Sequence, residues 1–395
     1  MRDAVIPARW PIPLDDPYPA YLALRESGPV HWLGELGCHL VVAHAEAQAI
    51  LRAPAWSSDA RANPVMAARL GLGPDTPGLL APGLLFTDPP EHTRLRRTIS
   101  AHLSPKAVEL FRPRIRAIVD AAFDGWPPDR DFDVMSDLAY PIPLAVICEL
   151  LDTGTEMAVA LRHRTPRLVG LIDPLADQET VDEAMSSGVA LMLELVPFVA
   201  ERLGRPGPDL LSCLLSPSAG LEVDEAIVMA LLLLAAGHET TASLIGNAVA
   251  AFGAQPGRAR FLRAHPELIP AAVEELIRFD GPVQLIARTA IQDTRVGPVT
   301  VAAGEQVLIC AGAANRDPAV FAEPDRLDFG RGSWPHLGFG HGLHFCAGAS
   351  LARAEAQETL RRLLALDPPV EERGMTVSRG TSPALRRVTK LLLTR

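Results

Sequence analysis

The stretch Phe339-Gly340-His341-Gly342-Leu343-His344-Phe345-Cys346-Ala347-Gly348 gathers glycine, histidine and one cysteine directly before the helix-forming run Ser350-Leu351-Ala352-Arg353-Ala354-Glu355-Ala356. Glycines at 340, 342 and 348 permit positive φ and close approach of the backbone to a flat partner. The run from Ala349 onward predicts that Cys346 lies at a helix N-terminus, where first-turn N–H groups and the helix dipole favour a thiolate. A glycine-bounded thiolate in that place fits a haem iron ligand. Two other readings stay open on these residues alone. Cys346 is equally a buried small hydrophobe, and His336, His341, His344 and Cys346 offer zinc-type ligands, although no second cysteine lies nearby at the usual paired spacing.

A second constellation, Ala236-Gly237-His238-Glu239-Thr240-Thr241, ends an apolar run that begins at Ala226. A carboxylate in such a run needs a partner or water, and Gly237 lowers helix propensity by about 1 kcal/mol relative to alanine. One reading is a kinked helix with a satisfied polar cluster, since threonine hydroxyls bond back to the carbonyl four residues earlier. The functional reading is a locally opened helix that admits water or dioxygen, with Thr240 donating a hydrogen bond and Glu239 passing protons. Beside a haem thiolate this arrangement suits cleavage of an O–O bond.

Three further groups of residues surround these two. Glu275 and Arg278 fall three apart on one helical face, and Arg326 follows in the segment Phe321 to Phe329 just before the cysteine loop. A Glu275, Arg278 and Arg326 cluster would lock that segment onto the helix, a structural role. His92 and Arg96 share one face of the helix after Thr87-Asp88-Pro89-Pro90, with Asp88 as its cap. Singly, these two, Arg288 in a strand and His344 in the cysteine loop each read as a surface group. Together they would bind two carboxylates, as the propionates of haem require.

The elements that must position these residues are mostly helical. Helical period marks Pro19 to Ser27, Ala45 to Arg52, Glu91 to His102, Pro105 to Phe123, Thr155 to Val169, Gln178 to Leu203, Asp224 to Phe252, Pro266 to Arg278 and Gly348 to Leu366. Strand signals are short. Val30 to Trp32 with His39 to Val42 predicts a hairpin, and Ala287 to Ile291, Val299 to Val301 and Val307 to Cys310 a small sheet around turns at Gly297-Pro298 and Ala303-Gly304. Proline- and glycine-rich stretches at 71 to 83 and 204 to 220 read as surface loops, so the 395 residues are expected to form a single domain, 1–395.

Composition narrows the partners. With 37 basic against 47 acidic residues the net charge is -10, which argues against nucleic acid binding. Five scattered cysteines, Cys38, Cys148, Cys213, Cys310 and Cys346, exclude a disulfide framework and suit a reducing cytoplasm. No signal-type h-region opens the chain, and the longest apolar run, Ala226 to Gly237, is too short to span a bilayer, so no membrane is expected.

Taken together, the chain resembles a bacterial cytochrome P-450, a soluble haem-thiolate monooxygenase. The cysteine loop matches the family pattern F-G-x-G-x-H-x-C-x-G in full, Glu275 to Arg278 matches its E-x-x-R, and Ala236 to Thr241 matches its oxygen-activation segment, with glutamate at 239 where aspartate is frequent. The resemblance implies a mainly α fold, one large domain with a long central helix over the haem and small β-sheets. It makes Cys346 the axial ligand of haem b, with His92, Arg96, Arg288 and His344 on the propionates, and Ala236, Gly237, Phe339, Gly340 and Gly348 also against the cofactor. Glu239 and Thr240 take the acid and alcohol positions of catalysis.

The same resemblance implies insertion of one oxygen atom from O2 into a hydrophobic small molecule. Its electrons would come from a ferredoxin and reductase, with NAD(P)H acting only through those partners and no fused reductase. Arg94, Arg97, Arg353, Arg361 and Arg362 would attract the ferredoxin. The substrate pocket would be lined by the loop Leu79 to Phe86 (Leu85 and Phe86), by Leu232, Leu233 and Ala236, by Val283 to Ala287 (Leu285 and Ile286), and by the turn Thr381 to Leu385 (Ser382 and Leu385). Gln284, Thr381 and Ser382 are its candidate orienting groups, and a monomer is expected. The alternative on the same fold is a peroxide-driven or non-oxygenating haem-thiolate enzyme, and from other classes a haem or ligand carrier without turnover or a zinc hydrolase.

Overall fold

The computed structural model describes residues 12–73, 83–125, 131–173, 176–255, 257–332, 334–366, 369–370 and 373–394. Its helices are α1 (Tyr18–Ser27), α2 (His44–Arg52), α3 (Pro64–Arg69), α4 (Glu91–Ser100), α5 (Pro105–Asp124), α6 (Pro141–Leu151), α7 (Gly154–Leu168), α8 (Gln178–Gly204), α9 (Leu210–Leu215), α10 (Val223–Ala254), α11 (Arg258–Ala264), α12 (Ile269–Asp280), α13 (Ala311–Ala314) and α14 (Ala349–Leu363). Its strands are β1 (Val30–Leu33), β2 (Cys38–Val41), β3 (Trp56–Ser57), β4 (Phe132–Asp133), β5 (Leu285–Ala290), β6 (Thr294–Val296), β7 (Val299–Val301), β8 (Gln306–Cys310), β9 (Gly374–Arg379) and β10 (Val388–Thr394).

Everything is built around α10. A capping box starts it, with Glu222 as N-cap and the Glu225 carboxylate accepting from the Glu222 backbone N–H at 2.9 Å. Its alanine- and leucine-rich body is apolar nearly all round, as a helix packed on every side must be. Accordingly α6, α7 and α8 pack against it, as do α12 and α14. At Gly246 the strand β10 and Met135 come so close that an added Cβ would lie 2.5 Å from Met135 Sδ and 3.2 Å from Val388 Cβ.

Two expectations about organisation change. The N-terminal hairpin and the downstream strands belong to one sheet, ordered β1-β2-β8-β5-β3, because β2 runs parallel to β8 with Leu40 opposite Leu308. Only β7 stands apart, paired with β6. The stretch 204 to 220 is not all loop: it contains α9, whose Leu210, Leu211 and Leu214 enter the main core. Six residues are too few to display a helical period. α6 is likewise hidden in the sequence, because it is apolar on most faces and prolines 141 and 143 mimic a break. Residues 74–82, which include Leu79 to Pro82 of the expected pocket loop, lie outside the described residues.

The chain leading into the cysteine loop is stapled to α12 by a fully buried ion pair. Arg278 Nε and Nη2 donate to the Glu275 carboxylate at 2.7 and 2.8 Å, and Arg278 Nη1 reaches the carbonyls of Asn315 and Pro324 at 3.0 and 2.8 Å. The Asp328 N–H donates to Glu275 Oε1 at 2.8 Å. Contrary to expectation, the second arginine on Glu275 is Arg331, with Nε 3.2 Å from the carboxylate. The Arg326 side chain turns outward to Glu323 and Asp328, and only its carbonyl joins the cluster, accepting from Arg278 and Arg331. An irregular segment has no period to tell which side chain points inward.

Removing one partner of a buried pair leaves the other charge uncompensated, so Arg278→Ala should lower stability by about 3–5 kcal/mol. Arg326→Ala should change it by no more than about 0.5 kcal/mol. Urea unfolding midpoints of the two variants will separate them, and equal losses would show that Arg326 carries the staple.

Candidate functional site

The cysteine loop is held by its own backbone. Cys346 N–H donates to the Phe339 carbonyl at 2.9 Å and Gly340 N–H to the Leu337 carbonyl at 2.9 Å. Gly340 (φ 68°) and Gly342 (φ 72°) take the left-handed conformation, and a Cβ on Gly342 would stand 2.4 Å from the Leu51 carbonyl oxygen of α2. Gly348 does not follow this expectation: its φ is -85°, and the space beside it is open. Behind the loop, Glu274 accepts from Arg353 Nε at 2.5 Å and lies 3.1 Å from His336 Nε2, while the Arg353 guanidinium sits 4.5 Å over the Phe339 ring. These cations hold the Glu274 carboxyl at about 2 against the cost of burial.

Cys346 lies three residues before α14. Burial pushes its thiol pKa up, against a Gly348 backbone hydrogen bond and the charges of Arg96 and Arg353, which pull it down. The expected thiolate preference of the bare side chain is therefore reversed. Desolvation outweighs the helix terminus until a cation arrives to compensate the sulfur.

Four donor side chains from three elements converge beside this sulfur. The rings of His92 (α4) and His344 stand 4.2 Å apart, and neither nitrogen of the buried His92 ring has a hydrogen-bond partner. Burial lowers the pKa of Arg288 (β5) to about 10 and that of His344 to about 3, where Arg288, His92 and Arg96 (α4) add repulsion. Arg96 is lowered by burial as well. Among the described residues Asp88 is the one carboxylate acting on His92 and Arg288, and it is already engaged by the Ser57 hydroxyl and the Ser58 N–H. So much donor capacity without a counter-charge fits a buried dianion. Together with a thiol and open space at Gly348, it fits a flat dicarboxylate metal group such as haem.

The second expected constellation lies on α10. Ala236 is exposed in the middle of this otherwise buried helix, with Leu232, Ala235, Gly237 and Thr240 half-buried around it. The helix is not opened there: it is continuous, and Thr240 Oγ1 donates to the Ala236 carbonyl at 2.6 Å. A Cβ added at Gly237 would stand 3.5 Å from Ile147 of α6, an ordinary contact, so no close approach requires the glycine. Glu239 is buried and turns away from Thr240. It accepts from Thr165 Oγ1 (α7) at 3.4 Å and from Arg387 Nη1 at 3.5 Å, and burial raises its pKa. Neighbouring His238 is completely buried, with Nδ1 2.7 Å from Thr165 Oγ1 and Nε2 without a partner. Neither Thr165 nor Arg387 was legible as a partner, since nothing local in the sequence ties positions 165 and 387 to 239.

The expected pocket lining needs sorting. Leu85 is exposed, and Phe86 and Leu232 are half-buried, as wall residues should be. Leu233, one helical step from Leu232, instead faces the main core. Leu285 packs with Tyr21 and Leu308 in a separate cluster, and Ile286 packs against the core beneath the sheet. Leu385 is 1% exposed, and Ser382 Oγ accepts from Ala384 and Leu385 N–H groups, closing its own turn. Gln284 is used by Tyr21 and by the Gly281 carbonyl, so it orients the fold.

The basic docking set is largely consumed. Arg94 pairs with Glu91 and Glu225, Arg353 with Glu274, Arg361 with Asp120 and Glu358, and Arg362 with Asp120 and Asp124. Exposed Arg97 forms no ion pair among the described residues. The zinc reading loses His336 to Glu274, and among the described residues no three His, Cys, Asp or Glu side chains gather to hold a metal ion.

Comparison with known proteins agrees with this geometry. The family profile described as Cytochrome P450 matches residues 262–366. The chain is 37% identical over 362 residues to the cytochrome P450 monooxygenase PikC of Streptomyces venezuelae, covering 88% of this chain and 83% of that protein. It is also 37% identical over 360 residues to the vitamin D(3) 25-hydroxylase of Pseudonocardia autotrophica, covering 89% and 87%. Among solved structures, epothilone D-bound cytochrome P450epoK superposes with a TM-score of 0.89 at 27% identity, over 98% of each chain.

Burial places the His238 pKa near 4, below its ordinary 6.5. The unfolded chain therefore binds the proton first. Stability gained by keeping this ring neutral is complete above about pH 6.5 and declines as the pH falls towards 4. His238→Phe should flatten the stability curve in that window, removing up to about 3 kcal/mol of acid sensitivity in chemical denaturation. An unaltered slope would mean that the ring titrates as in water.

Proposed function

The chain belongs to the cytochrome P450 family, and from that premise we propose that it holds haem b through Cys346 and oxygenates a bulky, apolar small molecule. It is a haem-dependent monooxygenase acting on small molecules, as its relatives are. The observation that supports the residue assignments best is the uncompensated group His92, Arg96, Arg288 and His344 beside Cys346. Phe339, Gly340 and Gly348 would line the sulfur side of the cofactor, and Ala236 and Gly237 the other.

Bound haem supplies iron that activates O2 and transfers one oxygen atom to the substrate, with two electrons delivered from outside. The protein's own residues do the rest. Two arginines and two histidines would take the carboxylates, relieving their mutual repulsion and fixing the plane. Thr240 rests on the Ala236 carbonyl, and rotation of its hydroxyl presents a proton to the cavity. Glu239 holds a proton more readily than an ordinary carboxyl because it is buried, and Thr165 and Arg387 fix its position. Leu85, Phe86, Leu232 and Ala236 form an apolar wall that excludes water from the reacting carbon.

The relatives' names, a vitamin D(3) hydroxylase and an epothilone D-bound enzyme, favour a rigid polycyclic or macrocyclic substrate. Electrons are proposed to come from a separate ferredoxin reduced at the expense of NAD(P)H, with exposed Arg97 among its contacts. Five cysteines, none in a disulfide, are in keeping with a cytoplasmic enzyme.

Reconstitution with a ferredoxin system and a library of macrolides, secosteroids and terpenoids tests this reading. A ligand that shifts the haem from low to high spin should also be oxygenated, and spectral binders that are never turned over would contradict it. Thr240→Ala should consume reductant while losing most of the product, so coupling equal to the parent would remove its proton role. Arg288→Leu should weaken retention of haem at least about tenfold in a transfer assay to apomyoglobin, as loss of a charged hydrogen-bond donor requires.

A further inference from the structure

Arg353 of α14 is held more firmly than a fastener of the cysteine loop needs to be. Its guanidinium donates to both oxygens of Glu274 (α12), from Nε at 2.5 Å and from Nη2 at 2.8 Å, a forked pairing that fixes its plane. His336 steadies the same carboxylate, with Nε2 3.1 Å away. The Gly338 N–H donates to His336 Nδ1 at 3.3 Å, so the neutral ring is satisfied with its proton on Nε2. His336, Glu274 and Arg353 thus form one ordered row, and the row ends on the Phe339 ring, which the guanidinium covers at 4.5 Å from the centroid.

The cationic end of this row lies against the loop that carries Cys346. Phe339 belongs to that loop, and its carbonyl accepts the Cys346 N–H at 2.9 Å. The charge of Arg353 reaches the sulfur, where with Arg96 it favours the thiolate against burial, and among the described residues no carboxylate acts there in the opposite sense. The ion pair therefore does not cancel at Cys346: its positive half is felt and its negative half is not. Both side chains are only partly open to water, at 29% for Arg353 and 19% for Glu274, so solvent screens this field incompletely. A unit charge about 10 Å from an electron-accepting centre, at the effective dielectric of a protein, shifts its reduction roughly tenfold, and a paired, half-open charge shifts it less.

We infer that Arg353, held in place by Glu274 and His336, sets how readily the bound haem accepts an electron, an inference that rests on Cys346 being the haem ligand. The step concerned is transfer of one electron from a reduced ferredoxin, which is oxidised, to the haem iron, which is reduced, and no bond forms or breaks. The negative charge gained is stabilised by a fixed cation on the sulfur side. Glu274 moderates that cation and His336 keeps Glu274 in register with it. This moves Arg353 from the expected docking patch, where it would attract the electron donor, to the acceptor itself.

Titration of the haem-loaded chain against a reference redox dye, with no ferredoxin present, tests the inference. Arg353→Leu should make reduction at least about threefold less favourable, and Arg353→Lys, which keeps the charge, should stay within about twofold of the parent. Glu274→Gln removes the moderating anion and should shift the equilibrium the other way. Opposite shifts for the two halves of one ion pair are the mark of electrostatic control, whereas loss of a mere fastener moves both variants in the same direction. Arg116→Leu, which removes an arginine paired with Glu358 elsewhere on α14, should leave the equilibrium within about twofold. The carbon monoxide band of each reduced variant is recorded alongside, and if Arg353→Leu loses its haem, the Arg353→Lys and Glu274→Gln pair decides. With the thiolate band intact, an unshifted Arg353→Leu, a Glu274→Gln shift of the same sign, or an effect confined to the KM for ferredoxin would overturn the inference alone. A parent protein without that band would overturn the Cys346 assignment and the inference with it.

Discussion

Burying Arg96, Arg288, His92 and His344 around one space is unfavourable until an anion enters it, and this constraint organises the site. Each of the four is pushed towards its neutral form by burial, and the cations among them add repulsion. A protein that keeps such a group must gain elsewhere, and a ligand with two carboxylates returns the missing counter-charges. Cys346 follows the same logic with opposite sign. Its sulfur is disfavoured as a thiolate in the bare protein and becomes acceptable beside a bound cation. On the proposed reading, the cofactor would neutralise both the cationic group and the sulfur.

Rigid elements enforce that arrangement. Glu275, Arg278 and Arg331 fasten the segment before the cysteine loop to α12, and Glu274 with Arg353 and His336 fastens the loop itself. Helix α14 is tied to α5 through Glu358, which binds Arg112, Arg116 and Arg361. Helix α10 is apolar and largely buried, so the exposure of Ala236 in its middle is defined by its neighbours. The position of sulfur against helix is thus set by ion pairs below and by packing above.

Most of the site was legible where chemistry is written locally. The cysteine loop, the His92 and Arg96 pair and the Ala236 to Thr241 segment each place unusual residue types within one or two turns, and the helices that hold them show clear period. What was not legible depends on direction or distance. Arg326 and Arg331 are indistinguishable in an irregular segment, and Arg387 reaches Glu239 only because the turn before β10 returns beside α10. Leu232 and Leu233 differ by one helical step, yet one is half-buried at the edge of the main core and the other lies within it. The thiol shows a balance of magnitudes that spacing does not reveal, since burial outweighs the helix terminus.

Axial ligation by Cys346 is tested most directly by the spectrum of the reduced chain under carbon monoxide. The parent protein should give the strongly red-shifted Soret band of a thiolate-ligated haem, and Cys346→Ser should lose it. A Cys346→Ser protein that retains that band would contradict the assignment.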